Sequence, residues 1–508
     1  MAVLLVLVVL GISLVMAYGL MRVQSTAEQV QSNSIRRGDA RQAAMTGLSV
    51  GLRKMHETGW TIAQTVSAAL NATDRYVVTY ATGDPDLTSN PGAVTDADIA
   101  TRPELLYYPF RVTITAKGYS RDPGTGIEAT HSARAVVELA PQKLATQPTN
   151  WGKITDTTRN VAVYQRDNDD FDVNMPFQVR GNARIHGSVA LNGDYNSWTS
   201  IGSDYLEGLR DMRNSDPAND DRPFTGRLYW KESRQSAGII NWIANKLSLS
   251  RTDLNDEIVP AVLDIPTTPT YQLYPGGEVY SAVEIANDVA AGATPIAAPL
   301  KNPLRVMYRS NDVRLGNNVS LQGTLVVGGT SGLTLDGTNI RIEPAPIPKL
   351  AGQTTTLELP SIVASNVHHN GGRSAVLKGL VFVDSDFRIE SGSQTTAFDL
   401  TGRLVAKDIR IRDRTEWTNA SWGNLLNLLD PLGLLRSAGL LQDSSLPPGG
   451  KTHYNADYDP RIIFQPYTIP TAVTNHWHGA ILRNEPLYQE QSAGSGLRWN
   501  VISWKDNL

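Results

Sequence analysis

Ala2–Met21 reads AVLLVLVVLGISLVMAYGLM, twenty residues without a charged side chain, and the first charge is Arg22. At ~1.5 Å per helical residue it reaches about 30 Å, the thickness of a bilayer's hydrocarbon core. Its Leu, Val and Ile each favour insertion by roughly 0.3–0.6 kcal/mol. A cleaved signal peptide fits less well, because the apolar run outlasts the usual h-region, no basic stretch precedes it and no small-x-small site follows. From Arg22 to about Met55 there is no proline, and Gly38, Gly47 and Gly51 are the only breakers. The spacing predicts one long helix with its first half in lipid.

Composition bounds the remainder. A chain of 508 residues has room for two to four cores. A net charge of −4 gives no reason to expect a nucleic-acid partner. Plentiful glycine (42) and proline (28) suit strands and turns. The chain has no cysteine, which excludes disulfides, thiol catalysis and Cys-ligated zinc.

After the span, Val23, Ala27, Val30, Ala40, Ala44, Leu48, Leu52 and Met55 recur at helical spacing and need a surface to cover them. RYVVTYA (Arg75–Ala81), YPFRVTITAKG (Tyr108–Gly118) and EATHSARAVVELA (Glu128–Ala140) supply one. Phe110, Val112, Ile114 and Ala116 alternate with polar residues, and RDPGTG (Arg121–Gly126) is a turn, so residues 108–140 read as an antiparallel hairpin. A long helix on such a sheet is an α+β head.

The uncharged start, the ARQAAMTGLSVGL segment (Ala40–Leu52) and the sheet behind it resemble the type IV pilin-like superfamily, closest in look to large minor pilins and type II secretion pseudopilins. The resemblance covers roughly the first 140 residues. It implies a bacterial inner-membrane anchor with the bulk periplasmic or extracellular, and other pilin-like subunits as partners. Members normally begin with a basic leader cut after Gly. Either Met1 is an internal start or the chain is already mature. Leu5 stands where most members carry the Glu that pairs with a neighbour's amino terminus, and members lacking it tend to initiate or cap filaments. Arg22, Arg36, Arg37, Arg41, Arg53 and Lys54 all follow the span, so the positive-inside rule alone would reverse the orientation that the resemblance implies.

Residues 141–176 read as a linker. Within it RDNDDFDVN (Arg166–Asn174) gathers Asp167, Asp169, Asp170 and Asp172, a carboxylate density that calcium would use. The EF-hand's Gly and Glu positions are unmet, and a solvated acidic turn explains the run more simply.

A repeat organises the long stretch after the linker. Apolar i, i+2 pairs recur as Phe177/Val179, Ala183/Ile185 and Val189/Leu191. They return as Val313/Leu315, Val319/Leu321, Leu325/Val327, Leu333/Leu335 and Ile340/Ile342, and again from Leu380/Phe382 to Ile409/Ile411. Gly, Asn or Asp turns separate them, which is the pattern of a β-solenoid; a β-sandwich would space its turns more widely. The domain reading is therefore a transmembrane half-helix at 1–21, a pilin-like helix and sheet at 22–140, and a linker at 141–176. A β-solenoid-like domain comes next at 177–413 with an insertion at about 192–312, then a helical cap and C-terminal strands at 414–508. The insertion carries an amphipathic pattern at Trp230–Leu247. The cap is Trp422–Leu441, broken by Pro431 and too short per half to span a bilayer.

Enzyme motifs are missing: no G-x-S-x-G, P-loop, H-E-x-x-H or dinucleotide fingerprint. His476 and His478 would share a strand face without a third ligand, and His368 and His369 sit in a Gly/Asn loop. Because solenoids host polysaccharide lyases and glycoside hydrolases, Asp384 and Asp386 in VDSDF are the candidate acid pair for glycan cleavage, though same-face strand neighbours meet the distance by geometry alone. The reading is a non-enzymatic, membrane-anchored structural protein: a filament-tip, envelope-adhesion or assembly component. A glycan-binding or glycan-cleaving envelope protein is the alternative. No cofactor is expected beyond calcium, and a surface glycan is the further partner class.

Overall fold

The computed structural model describes residues 2–57, 59–140, 161–165, 177–180, 183–191, 228–230, 270–274, 276–290, 298–351, 359–390, 396–412, 462–465 and 498–506. The calcium candidates Asp167, Asp169, Asp170 and Asp172 lie outside the described residues. So do the cap helix, His476, His478 and all of the expected insertion helix except Trp230, which ends a strand.

Helix α1 runs unbroken from Ala2 to Lys54, as its sequence predicts. Its second half meets the sheet through small residues, with Ala40, Ala43, Ala44, Gly47, Leu48 and Gly51 buried. The approach is close: a Cβ on Gly118 of the sheet would stand 2.0 Å from the Ala40 carbonyl oxygen. The sheet holds β1 (Val66–Ala69), β2 (Asp74–Thr82), β3 (Arg111–Arg121) and β4 (Glu128–Ala140), antiparallel throughout. Strand β3 begins three residues later than expected, because Pro103 and Pro109 hold residues 103–110 in a 3₁₀ helix. Before it, α2 (Asp96–Thr101) starts on a capping box between Thr95 and Asp98.

The fifth strand of this sheet is the chain's last. Arg498–Asp506 pairs antiparallel with β4, Trp499 beside Leu139 and Trp504 beside Ala135. The boundary expected at residue 140 is thereby corrected: both ends of the sequence build the head, and everything between is inserted into its sheet.

That insert coils in short parallel strands, the register of a β-solenoid. On one side Met307, Leu325, Ile362, Val381 and Leu404 lie in successive register. On the second side the series is Leu315, Leu335, His369, Ile389 and Ile411. On the third it is Leu321, Ile342, Leu377, Leu400 and Phe464. These inward residues form one continuous core, and the predicted i, i+2 pairs from Val313 to Ile342 and from Phe387 to Ile411 are its walls. The expected pair Leu380/Phe382 is one residue out of register, and Val381 and Val383 face inward in its place. Corners carry the turn chemistry. Gly187, Gly323, Gly379 and Gly402 have positive φ between the third and first sides, and a Cβ on Gly402 would lie 1.8 Å from the Gly379 carbonyl oxygen. Asn318 and Asn339 occupy the left-handed region at another corner, where Asn339 Nδ2 donates to Asn318 Oδ1 at 3.1 Å.

Coil order departs from chain order. Val161–Gln165 pairs with Ala397–Ala406, Phe177–Arg180 with Asp408–Arg412, and Ala183–Ile185 with Ile462–Gln465. The earlier run thus extends the stack built by the later one. Two expected boundaries move. Val161–Gln165 lies in the expected linker yet is a fully buried strand. VAVYQ is apolar without alternation because both its faces are covered, and that hides it from a period-two reading. Within the expected insertion, Val283–Glu284, Asp288–Val289 and Val306–Arg309 already belong to the coils.

Candidate membrane anchor and assembly surface

Two surfaces bear on function: the free half of α1 and the junction between head and coils. The helix is exposed over nearly all of its length from Ala2 to Ile35. A helix that is apolar all round and uncovered needs a non-aqueous surround, which a bilayer supplies over its first twenty residues. It is the one helix among the described residues long and apolar enough to cross a membrane. Above the span a bare stalk continues to Arg36, which forms an ion pair with Asp122 in the β3–β4 turn. The base of the head therefore stands about 20 Å beyond the span, at ~1.5 Å per residue.

The head and the coils share one hydrophobic core. Leu48, Val78, Ile114 and Val137 of the head join Tyr274, Val306, Val326 and Val363 of the coil region in a single cluster. Trp60 packs edge-on against Tyr80 and Trp499, and Tyr274 edge-on against Trp499, so residues far apart in sequence close the seam. The indole nitrogens of Trp60 and Trp499 are buried there without a hydrogen-bond partner, whereas other polar groups at the seam are paired. Tyr271 Oη donates to Asn302 Oδ1 at 2.6 Å and accepts from the Leu304 amide at 3.1 Å. Burial raises that phenol's pKa, keeping it a neutral donor. Arg111 bridges buried Asp84 and Glu138 at 2.9 and 3.0 Å, and Glu138 accepts from the Ala351 amide of the coil region at 3.0 Å. Arg305 pairs with Asp96 of α2. Nothing local in the sequence marks these pairs, because their partners lie 27 to 213 residues away.

A long helix, half in lipid and half laid through small residues on an antiparallel sheet, is a specific architecture. The head has the helix-on-antiparallel-sheet layout expected from its sequence. No family model matches the chain, and no curated protein matches it. Among solved structures, the competence-associated pilin ComZ from Thermus thermophilus matches at 12% identity, over 93% of this chain and 98% of that one, with a TM-score of 0.20. At that score the two do not superpose as wholes, and the description of the head rests on its own geometry.

Outside the head, the expected acid pair does not share a strand face. Asp384 lies in a corner after Val383, its amide bonded to the Ala364 carbonyl, and Asp386 opens the next strand. Asp386 is ion-paired with Arg388, whose side chain stands two residues along the same face. Of the two loop histidines, His368 points outward, while His369 points into the coil core at 1% exposure, edge-on to Phe398. Neither ring nitrogen of His369 has a hydrogen-bond partner, and burial lowers its pKa to about 4. Its apolar surroundings make it a packed core side chain and not a ligand. No group of three or more metal-binding side chains occurs among the described residues.

Proposed function

We propose that this chain is an extracytoplasmic, membrane-anchored structural subunit of a pilin-like assembly, carried at a filament tip. The observation that carries this reading is the shared core between head and coils. A coil stack welded to the head cannot swing aside. Pilin-like helices pack side by side, and a rigid appendage of several hundred residues on every subunit would collide with its neighbours. At a tip the stack has free space above it. Leu5, uncharged where a bulk subunit usually carries Glu, supports the same placement.

The test is a clean deletion of the chain in its host, scored for surface filaments and for export. Loss of either, restored by the full chain and not by residues 25–508 alone, is the expected result. Residues 25–508 should be soluble and monomeric. Regular filaments made of this chain alone at full occupancy would overturn the tip placement.

A further inference from the structure

We propose that the outer face of the coils' second side carries a binding site for an acidic glycan, with Arg410 receiving its carboxylate. Such a site adds a ligand to the tip reading and does not depend on it, since only the coils are needed.

On this side the residues between the buried core positions point outward. Thr334, His368, Arg388 and Arg410 stand there in parallel register, one per coil, and each is half-buried. Neighbouring strands lie about 4.8 Å apart, so the row offers one polar head at each such step. Its last two steps differ in pairing. Asp386 and Arg388, two residues apart on one face, form an ion pair. The next coil repeats the arrangement in register with Asp408 and Arg410, yet the second pair is not made, and Asp408 is engaged elsewhere. Arg410 has neither a hydrogen bond nor an ion pair among the described residues. Its Nε is buried without a partner, whereas its terminal nitrogens reach solvent. Leaving that guanidinium unmatched is the more costly because Arg388, a like charge, lies directly beside it. An anion in front of Arg410 removes the cost, and a carboxylate fits its fork through two parallel hydrogen bonds.

The surroundings of Arg410 decide what kind of anion. No apolar side chain stands in the row from Thr334 to Arg410, so nothing there matches the apolar centre of a protein interface. Asp386 and Asp408 flank the two arginines and would repel the closely spaced phosphates of a nucleic acid. Hydroxyl groups suit the same surface, because carboxylates accept from them while guanidinium, imidazole and threonine side chains hold them from the other side. A chain of hydroxyls that bears a carboxylate on each sugar is a uronate glycan.

The full-length protein in detergent micelles is titrated by calorimetry with oligogalacturonate, oligoguluronate and hyaluronan fragments. The methyl ester of whichever binds best and a short DNA duplex serve as comparisons. At least one acidic glycan is expected to bind, and to lose about tenfold in affinity once esterified. Arg410→Gln should lower the affinity for the free acid by about the same factor. Arg410→Lys, which keeps the charge without the fork, should fall between the two. Lys378→Gln, at an exposed position on the third side, should leave the affinity unchanged. Binding of none of the three glycans would overturn the proposal, as would equal binding of acid and ester, parental affinity in folded Arg410→Gln protein, or tighter binding of DNA. Should Arg410→Gln fail to fold, as read by circular dichroism, the acid-to-ester ratio of the parent and the Arg410→Lys variant decide the matter. Membrane insertion is untouched by any of these outcomes, so the tip reading is judged separately.

Discussion

Leu404 lies in parallel register beside Val163, although 241 positions of sequence separate them. At this seam the early run of coils sits on the late one, so neither run alone completes the stack. Its energetic consequence is directional. The strands from Val306 to Ala406 template one another in chain order, whereas Val161–Leu191 docks on an edge that exists only once they have formed.

Val163→Asp puts a charge into that core at the seam. Hydrogen exchange is expected to rise across 161–191 while Thr324–Val327 stays protected, because the seam can open without unzipping the older coils. Equal loss of protection in both runs would show a single cooperative unit instead.

Gly402→Ala tests the corner. The added Cβ would meet the Gly379 backbone oxygen at 1.8 Å, and neither backbone can withdraw without breaking the ladder. A loss of about 2–4 kcal/mol in denaturant unfolding is expected, from strain and overpacking together. An unchanged midpoint would mean the corner yields.

His369 makes stability depend on pH. Its folded pKa of about 4 lies below the ordinary value of 6.5, so the fold prefers the neutral ring. The contribution is whole above 6.5 and is lost as pH falls from there through 4, up to about 3 kcal/mol. His369→Leu should flatten the stability profile over that window. It should also be neutral or stabilising at pH 7, since the leucine would stack between Leu335 and Ile389 and no nitrogen would be left unbonded. A variant with the same acid profile as the parent would refute this.

Arg111→Met should cost about 3 kcal/mol, because it strands the buried carboxylates of Asp84 and Glu138. Glu138→Gln should cost less, since the amide oxygen still accepts from Ala351. Thermal unfolding of the detergent-solubilised full chain ranks the two, and the reverse order would exclude the stranded-charge explanation.

Gly118→Val forces a branched side chain into the Ala40 backbone. Helix α1 should lift from β3, increasing Trp60 solvent exposure as read by fluorescence quenching. Unaltered quenching would show that the helix can slide to make room.

Much of this molecule was legible in one dimension. Ala2–Met21, the alternation of Phe110 to Ala116 and the i, i+2 pairs from Val313 to Ile342 each encode an environment through neighbours a few residues away. Lipid, sheet face and coil wall could therefore be read from local pattern. The three-dimensional fold alone decided what pairs with what. A strand edge offers the same amides and carbonyls to any strand of matching shape, so no local signal tells Trp499 to lie beside Leu139 or Val163 beside Leu404. VAVYQ was hidden because burial on both faces erases the alternation that marks a strand, and His369 was turned inward by its register between Leu335 and Ile389. Side-chain periodicity is set along the chain, whereas partner choice is settled by which edges remain open when the rest has folded.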